Sequence, residues 1–172
     1  MFSFFKKGKR FMTNCICSKE LVKYSVEDEW YDVYIDKNNT LKYKGFYCKC
    51  GRCGRKLYVD SIEEINQKQF EEAYKRHYDI IPLTRVKAML KRYGINAENF
   101  AKVVGIEKEL MLRWISGKYI IKPEISELFK EYDNSVEKFL QRLMDHNIIL
   151  TRKTYLKSLK ACLKIMEIEE NK

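Results

Sequence analysis

Five of the six cysteines fall between Cys15 and Cys53. They come as two groups, Cys15-Ile16-Cys17 and Cys48-Lys49-Cys50-Gly51-Arg52-Cys53-Gly54. Thiols grouped in this way either pair as disulfides or hold a soft metal ion. The start, MFSFFKKGKRF, places apolar residues ahead of its charges and has no sustained apolar run, so no secretory leader is expected. No apolar run reaches membrane-spanning length. A reducing, cytoplasmic setting is the resulting expectation, and there clustered cysteines read as metal ligands. Four thiolates at tetrahedral corners suit a structural Zn2+. Cys15, Cys17, Cys50 and Cys53 are the expected ligands. Cys50-x-x-Cys53 has knuckle spacing, and Gly51 and Gly54 relieve the tight backbone around it. Cys15-x-Cys17 is one residue shorter than the usual pair, and Cys48 competes for the place of Cys17 or Cys50. A catalytic zinc would keep an open position and usually employ histidine, but His77 and His146 lie outside this stretch.

The elements that must position these thiols can be read from patterning. Val22 to Ile35 is rich in Val, Tyr and Trp, Asp36-Lys37-Asn38-Asn39 is a turn signal, and Leu41, Tyr43, Phe46 and Tyr47 continue a second strand. The cysteine groups bracket this hairpin. A hairpin alone buries too little surface to be stable, and a metal clip at its base supplies the missing free energy. Residues 14–60 therefore read as a zinc-binding β domain, preceded by a basic, aromatic tail over residues 1–13. Residues 61–82 read as a linker helix capped by Asp60 or Ser61 and ended by Pro82.

Residues 83–146 carry a second unit of short helices. Thr84 is the expected cap of a helix bearing Val86, Met89, Leu90 and Tyr93, which Gly94 ends. Asn96 caps the next helix, with Phe100, Ala101, Val103 and Val104 inward, and Gly105 makes the turn. Ile106, Met111, Trp114 and Ile115 form the core side of a third helix closed by Gly117. Pro123 opens a fourth, and Val136, Phe139, Leu140, Leu143 and Met144 mark a fifth. Residues 147–172 predict a C-terminal amphipathic helix with Leu156, Leu159, Leu163 and Met166 along one side, Cys162 beside them, and Arg152, Lys153, Lys157, Lys160 and Lys164 elsewhere. The overall expectation is α+β: a small zinc-clipped hairpin domain followed by an all-α domain.

The stretch from Gly94-Ile95-Asn96-Ala97-Glu98-Asn99-Phe100-Ala101 through Val104-Gly105 to Arg113-Trp114-Ile115-Ser116-Gly117 resembles the helix-turn-helix of Xre/Cro-type five-helix DNA-binding domains. Taken with Cys50-x-x-Cys53-Gly54, Leu57-Tyr58, Ala73-Tyr74-Lys75-Arg76 and Val86-Lys87 to Tyr93-Gly94, residues 14–144 are similar to the MqsA/YgiT-type antitoxins. The resemblance implies an N-terminal zinc domain that contacts a cognate toxin protein. It also implies a C-terminal domain that dimerises and binds double-stranded operator DNA as a repressor. The chain departs from the family pattern at Ala97, where Gln is common, at Glu107-Lys108-Glu109, where small hydroxylated residues are common, and at Ile115, where Glu is common.

In a helix-turn-helix the second helix enters the major groove. That makes Lys108, Glu109, Leu110, Leu112 and Arg113 the expected DNA-facing positions, with Asn96, Lys118 and Lys122 beside them. Arg113 or Lys108 can reach guanine or phosphate, and Leu110 can pack on a thymine methyl. The net charge of +10 favours a polyanionic partner. No nucleophile–base pair, phosphate loop or paired carboxylate motif stands out, so an enzyme is not expected. Two alternatives stand beside the antitoxin reading. One is a stand-alone regulator of a mobile element or phage. The other is a protein-interaction or inhibitor module that keeps the scaffold without reading DNA, motivated by Ala97, Glu107 and Glu109.

Overall fold

The computed structural model describes residues 12–146 and 150–171; most of the basic tail, residues 1–11, lies outside them. The chain divides into two compact units, residues 1–77 and 78–172. Together they are α+β, with strands confined to the first unit among the described residues.

The first unit is a four-stranded antiparallel sheet in sequential order: β1 (Met12–Thr13), β2 (Val22–Asp36), β3 (Asn39–Cys50) and β4 (Lys56–Leu57). The long β2–β3 hairpin turns through Lys37 and Asn38, with Asp36 opposite Asn39. Asp36 accepts from the Asn38 amide at 2.9 Å and from Asn39 Nδ2 at 2.8 Å, a side-chain mimic of a backbone turn. At the other end, Tyr24 pairs with Cys50 and Val26 with Cys48. The hairpin's register thus delivers Cys50 to the base of the sheet.

The helix α1 (Asp60–His77), set apart by patterning as a linker, is docked on β3 of this unit. The amide of Asn66 reads the strand directly: it accepts from the Phe46 amide at 2.7 Å and donates to the Phe46 carbonyl at 2.8 Å. The approach is close. A Cβ at Gly45 would lie 2.8 Å from Asn66 Oδ1 and 2.9 Å from the Tyr31 ring. Tyr31 stacks on its cross-strand neighbour Tyr43 with ring centroids 5.3 Å apart, and Phe70 of α1 meets Tyr43 edge-on at 5.8 Å. Such pairs add on the order of 1 kcal/mol beyond their buried area.

The second unit is all helix among its described residues: α2 (Leu83–Arg92), α3 (Ala97–Val104), α4 (Lys108–Ile115), α5 (Pro123–Asn134), α6 (Val136–Asp145) and α7 (Arg152–Glu170). An aromatic stack closes its core. Tyr93 lies parallel to Phe139 at 4.4 Å, Phe139 stacks on Phe100 at 5.5 Å, and Phe129 meets Phe100 and Trp114 edge-on. Two buried polar groups find partners: Tyr93 Oη donates to the Tyr132 carbonyl, and Ser126 Oγ accepts from the Ile81 amide at 2.8 Å, whereas His146 Nε2 is buried with no partner among the described residues.

The helix ends follow local chemistry, with two corrections, the first being that Asp60 and Ser61, expected to cap α1, both lie within it. Asn96 caps α3 by accepting from the Asn99 amide at 2.8 Å, and Gly105 ends it in the left-handed region at φ 77°. Pro123 sits in the first turn of α5. Thr84, however, lies inside α2; Pro82 occupies the N-cap with no side-chain cap bond. Pro82 tolerates that place because its missing amide is one a helix start leaves unused.

Helix α7 packs on α6, with Ser158 and Cys162 fully buried. Ser158 Oγ donates to the Tyr93 carbonyl at 2.8 Å. Burial pushes the Cys162 thiol up to about 11. The inward face runs through Tyr155, Ser158, Leu159, Cys162, Ile165 and Met166, so Leu156 and Leu163 of the expected stripe are exposed. A small hydroxyl with a backbone partner takes the centre of the face that the leucines were expected to hold.

Candidate metal centre and the exposed side of α4

The four thiols chosen by spacing are brought together. The Sγ atoms of Cys15, Cys17, Cys50 and Cys53 all lie within 4.8 Å of one another. Cys15 and Cys53 are 3.6 Å apart, and Cys17 and Cys50 are 3.7 Å apart. Cys48 is buried but stands outside the cluster, which removes it as a competing ligand among the described residues.

Two turns build the site. The first begins at Cys15, whose carbonyl accepts from the Ser18 amide at 3.0 Å. The short Cys-x-Cys spacing is accommodated because this turn folds both thiols back toward the sheet base. The second turn runs from Cys50 to Gly54, with the Gly54 amide 2.9 Å from the Cys50 carbonyl and Gly54 at φ 74°. A side chain at Gly54 would be strained there. Gly51 donates its amide to the Lys23 carbonyl at 2.9 Å, and a Cβ on it would press to 3.1 Å from that same oxygen. Arg52 Nη1 reaches Ser18 Oγ at 3.1 Å and ties the two turns together.

The electrostatics favour a thiolate. Backbone amides of Cys53 and Arg52 point at Cys50 and bring its thiol down to about 6 against the burial that opposes them. The Arg52 amide lies 3.4 Å from Cys50 Sγ. Cys17 is pushed up to about 12, chiefly by its hydrogen bond to Cys15. Cys50 is thus the thiol of the group most readily offered to a metal as thiolate. Around them Val22 and Leu57 complete a small apolar cluster with Cys15, Cys17 and Cys50.

In the helical unit, α3 and α4 pack together across the Gly105 turn, and Met111 and Trp114 of α4 are buried. Glu109, Leu112, Arg113, Lys118 and Lys122 are exposed, as sequence spacing requires of DNA-facing positions. Three of the expected residues have other engagements. Leu110 is half-buried against the core, because it shares the stripe of Met111 and Trp114. Asn96 spends its side-chain oxygen on the α3 cap. Lys108 Nζ is 2.9 Å from Glu98, which holds the Glu98 carboxyl below the usual carboxylate range. That pair is exposed and contributes little to stability.

One residue that patterning overlooked joins this face. The guanidinium of Arg113 sits over the exposed Tyr119 ring at 5.3 Å, with Nη1 3.4 Å from the Tyr119 hydroxyl. Stacking limits the rotamers of Arg113 and so lowers the entropy cost of a contact it makes. The only advance signal was an aromatic six residues beyond an arginine, past a glycine turn.

No helix among the described residues is long and apolar enough to cross a membrane. Comparison with protein-family models, with curated proteins and with solved structures finds no match to this chain.

Proposed function

We propose that this chain is a zinc-stabilised, DNA-binding transcriptional repressor that acts in the cytoplasm as the antitoxin of a type II toxin–antitoxin pair. Its partners on this reading are double-stranded operator DNA, a cognate toxin protein and a second copy of itself. The observation that carries the DNA-binding part is α4: eight residues after a left-handed glycine turn, its apolar side seated in the core and Glu109, Leu112 and Arg113 exposed. That is the arrangement a recognition helix needs to enter a major groove. The four thiols support zinc as the ion. A tetrahedral site with Zn–S bonds of about 2.3 Å has S···S edges of about 3.8 Å, and the close pairs here measure 3.6 and 3.7 Å. Antitoxin and repressor roles draw on the family resemblance of residues 14–144.

The test combines metal analysis with a gel shift on the region upstream of the gene. Purified protein carries about one zinc per chain. It binds the upstream duplex specifically and with strong salt dependence. Arg113→Ala weakens that binding by about 1–3 kcal/mol without unfolding. Binding to that region no tighter than to random duplex removes the operator-reading role. The Lys108–Glu98 pair favours a second reading, a protein-interaction module whose helix tip is neutralised. Capture of a neighbouring gene's product with no duplex binding at low salt would establish it instead.

A further inference from the structure

The helical unit carries a second basic feature away from the exposed side of α4. A groove of about 430 Å³ is lined by Lys91, Asn96, Asn99, Lys153, Thr154 and Lys157, with Leu90, Gly94 and Ile95 completing its wall. Three lysines from two helices converge on it and no carboxylate lines it. Among the described residues, Lys91, Lys153 and Lys157 have no ion-pair partner, a state they share with Lys87, Lys118, Lys122, Lys160 and Lys164, but these three alone line one groove. Like charges gathered without counter-charge repel one another, and an anion placed among them relieves that repulsion.

The groove is held open by fixed parts. Ser158 on α7 is bonded to the carbonyl of Tyr93 at 2.8 Å, and Cys162 is buried one turn further on. A Cβ built on Gly94 would lie 3.4 Å from Ala161 Cβ and 3.7 Å from Lys157 Cε. The stem of Lys157 therefore runs against the Gly94 turn, on the wall of the groove that Asn96 also lines. Lys153 and Lys157 stand one helical turn apart, about 6 Å along the axis. Asn96 and Asn99, which line the groove, are near in sequence to Glu98, whose carboxylate meets Lys108 of α4 at 2.9 Å.

We infer that this groove is a phosphate-binding site, and that α7 serves as a second DNA-backbone contact through Lys153 and Lys157, with Lys91 beside them. The inference rests on the DNA-binding reading above. It assigns to the C-terminal helix a role that the helix-turn-helix alone does not supply: Lys153 and Lys157 position the duplex by its phosphates, while α4 meets the base edges.

The experiment measures equilibrium binding of the full zinc-loaded chain to a random-sequence duplex and to the upstream duplex across a salt series. Four proteins are compared: the unaltered chain, Lys153→Ala/Lys157→Ala, Lys160→Ala/Lys164→Ala as a charge-matched control on the same helix, and Arg113→Ala. Each phosphate contact contributes about 0.9 to the log–log salt slope, so the first double variant flattens the slope by about 2 on both duplexes and loses on the order of tenfold in affinity. The control pair keeps the steeper slope. All four substituted lysines are exposed, and unchanged thermal unfolding excludes misfolding as the cause. An unchanged slope in Lys153→Ala/Lys157→Ala, alongside weakened binding by Arg113→Ala, overturns the groove and leaves the DNA-binding reading standing. Equal flattening in the control pair overturns it too, because the effect is then net charge. Failure of the unaltered chain to bind any duplex at low salt overturns both readings together.

Discussion

The two units of this chain reach stability by different routes. The helical unit closes on a stack of aromatic rings, with Tyr93, Phe100, Phe129 and Phe139 all fully buried. Among its described residues the sheet unit buries no aromatic ring fully. Its cysteine end is filled by Val22, Cys15 and Cys50, with Cys17 and Leu57 packed against them, and its middle holds Leu41, Cys48, Ile62 and Ala73 beside the Tyr31–Tyr43–Phe70 rings and the Asn66 bonds. On the metal-bound reading proposed above, a crosslink through the thiols stands in for burial. Where the chain cannot enclose apolar volume, it gathers four thiols instead.

Metal removal tests this comparison most severely. Structural zinc is worth roughly 10–16 kcal/mol in small zinc modules, more than such a sheet can replace. A strong chelator, or Cys50→Ser, is expected to strip amide-exchange protection from residues 12–77 while residues 78–146 keep theirs. Mass-spectrometric hydrogen exchange reads both units in one sample. Loss of protection in both would break the comparison, since it would make the helical core depend on the metal.

Phe139→Ala probes the other side. It removes the ring shared by Tyr93, Phe100 and Tyr132, and should cost about 3–5 kcal/mol of the helical unit's stability. Metal content should not change. Denaturant unfolding followed by Trp114 fluorescence, in a Trp30→Phe background, isolates this unit.

Asn66→Ala is the smallest of the three. It removes both hydrogen bonds from Asn66 to Phe46, whose carbonyl keeps the Tyr31 hydroxyl at 3.3 Å, and should cost about 1–3 kcal/mol in the sheet unit. A loss below about 0.5 kcal/mol would mean that water reaches Phe46 freely, and that α1 is held by its apolar face alone.

Much of the fold was legible because its signals are local. Asp36 to Asn39 marked the hairpin turn, Gly105 the break between α3 and α4, and Asn96 the α3 cap. In each case a few adjacent residues determine the backbone. Legibility failed where a distant partner intervened. Docking of α1 on β3 depends on Asn66 meeting a strand twenty residues earlier, at a glycine that leaves room for it. The inward face of α7 was displaced from its leucines because Ser158 found the carbonyl of Tyr93, a partner 65 residues away. Arg113 gained Tyr119 only when the chain turned back at Gly117.

The sequence by itself determined the α+β composition, the places where the chain turns, and which thiols have the spacing to form a metal site. Each follows from short-range geometry: the period of apolar residues, the φ that glycine permits, and the reach of a Cys-x-x-Cys turn. Only the tertiary structure decided that Cys48 stays outside the cluster, that Leu110 turns inward, and that Lys91, Lys153 and Lys157 share one groove. Those outcomes depend on which surfaces meet. A pattern along one element specifies an apolar side, but the neighbour that covers it, and the charges left uncovered, are set by packing between segments far apart in the chain.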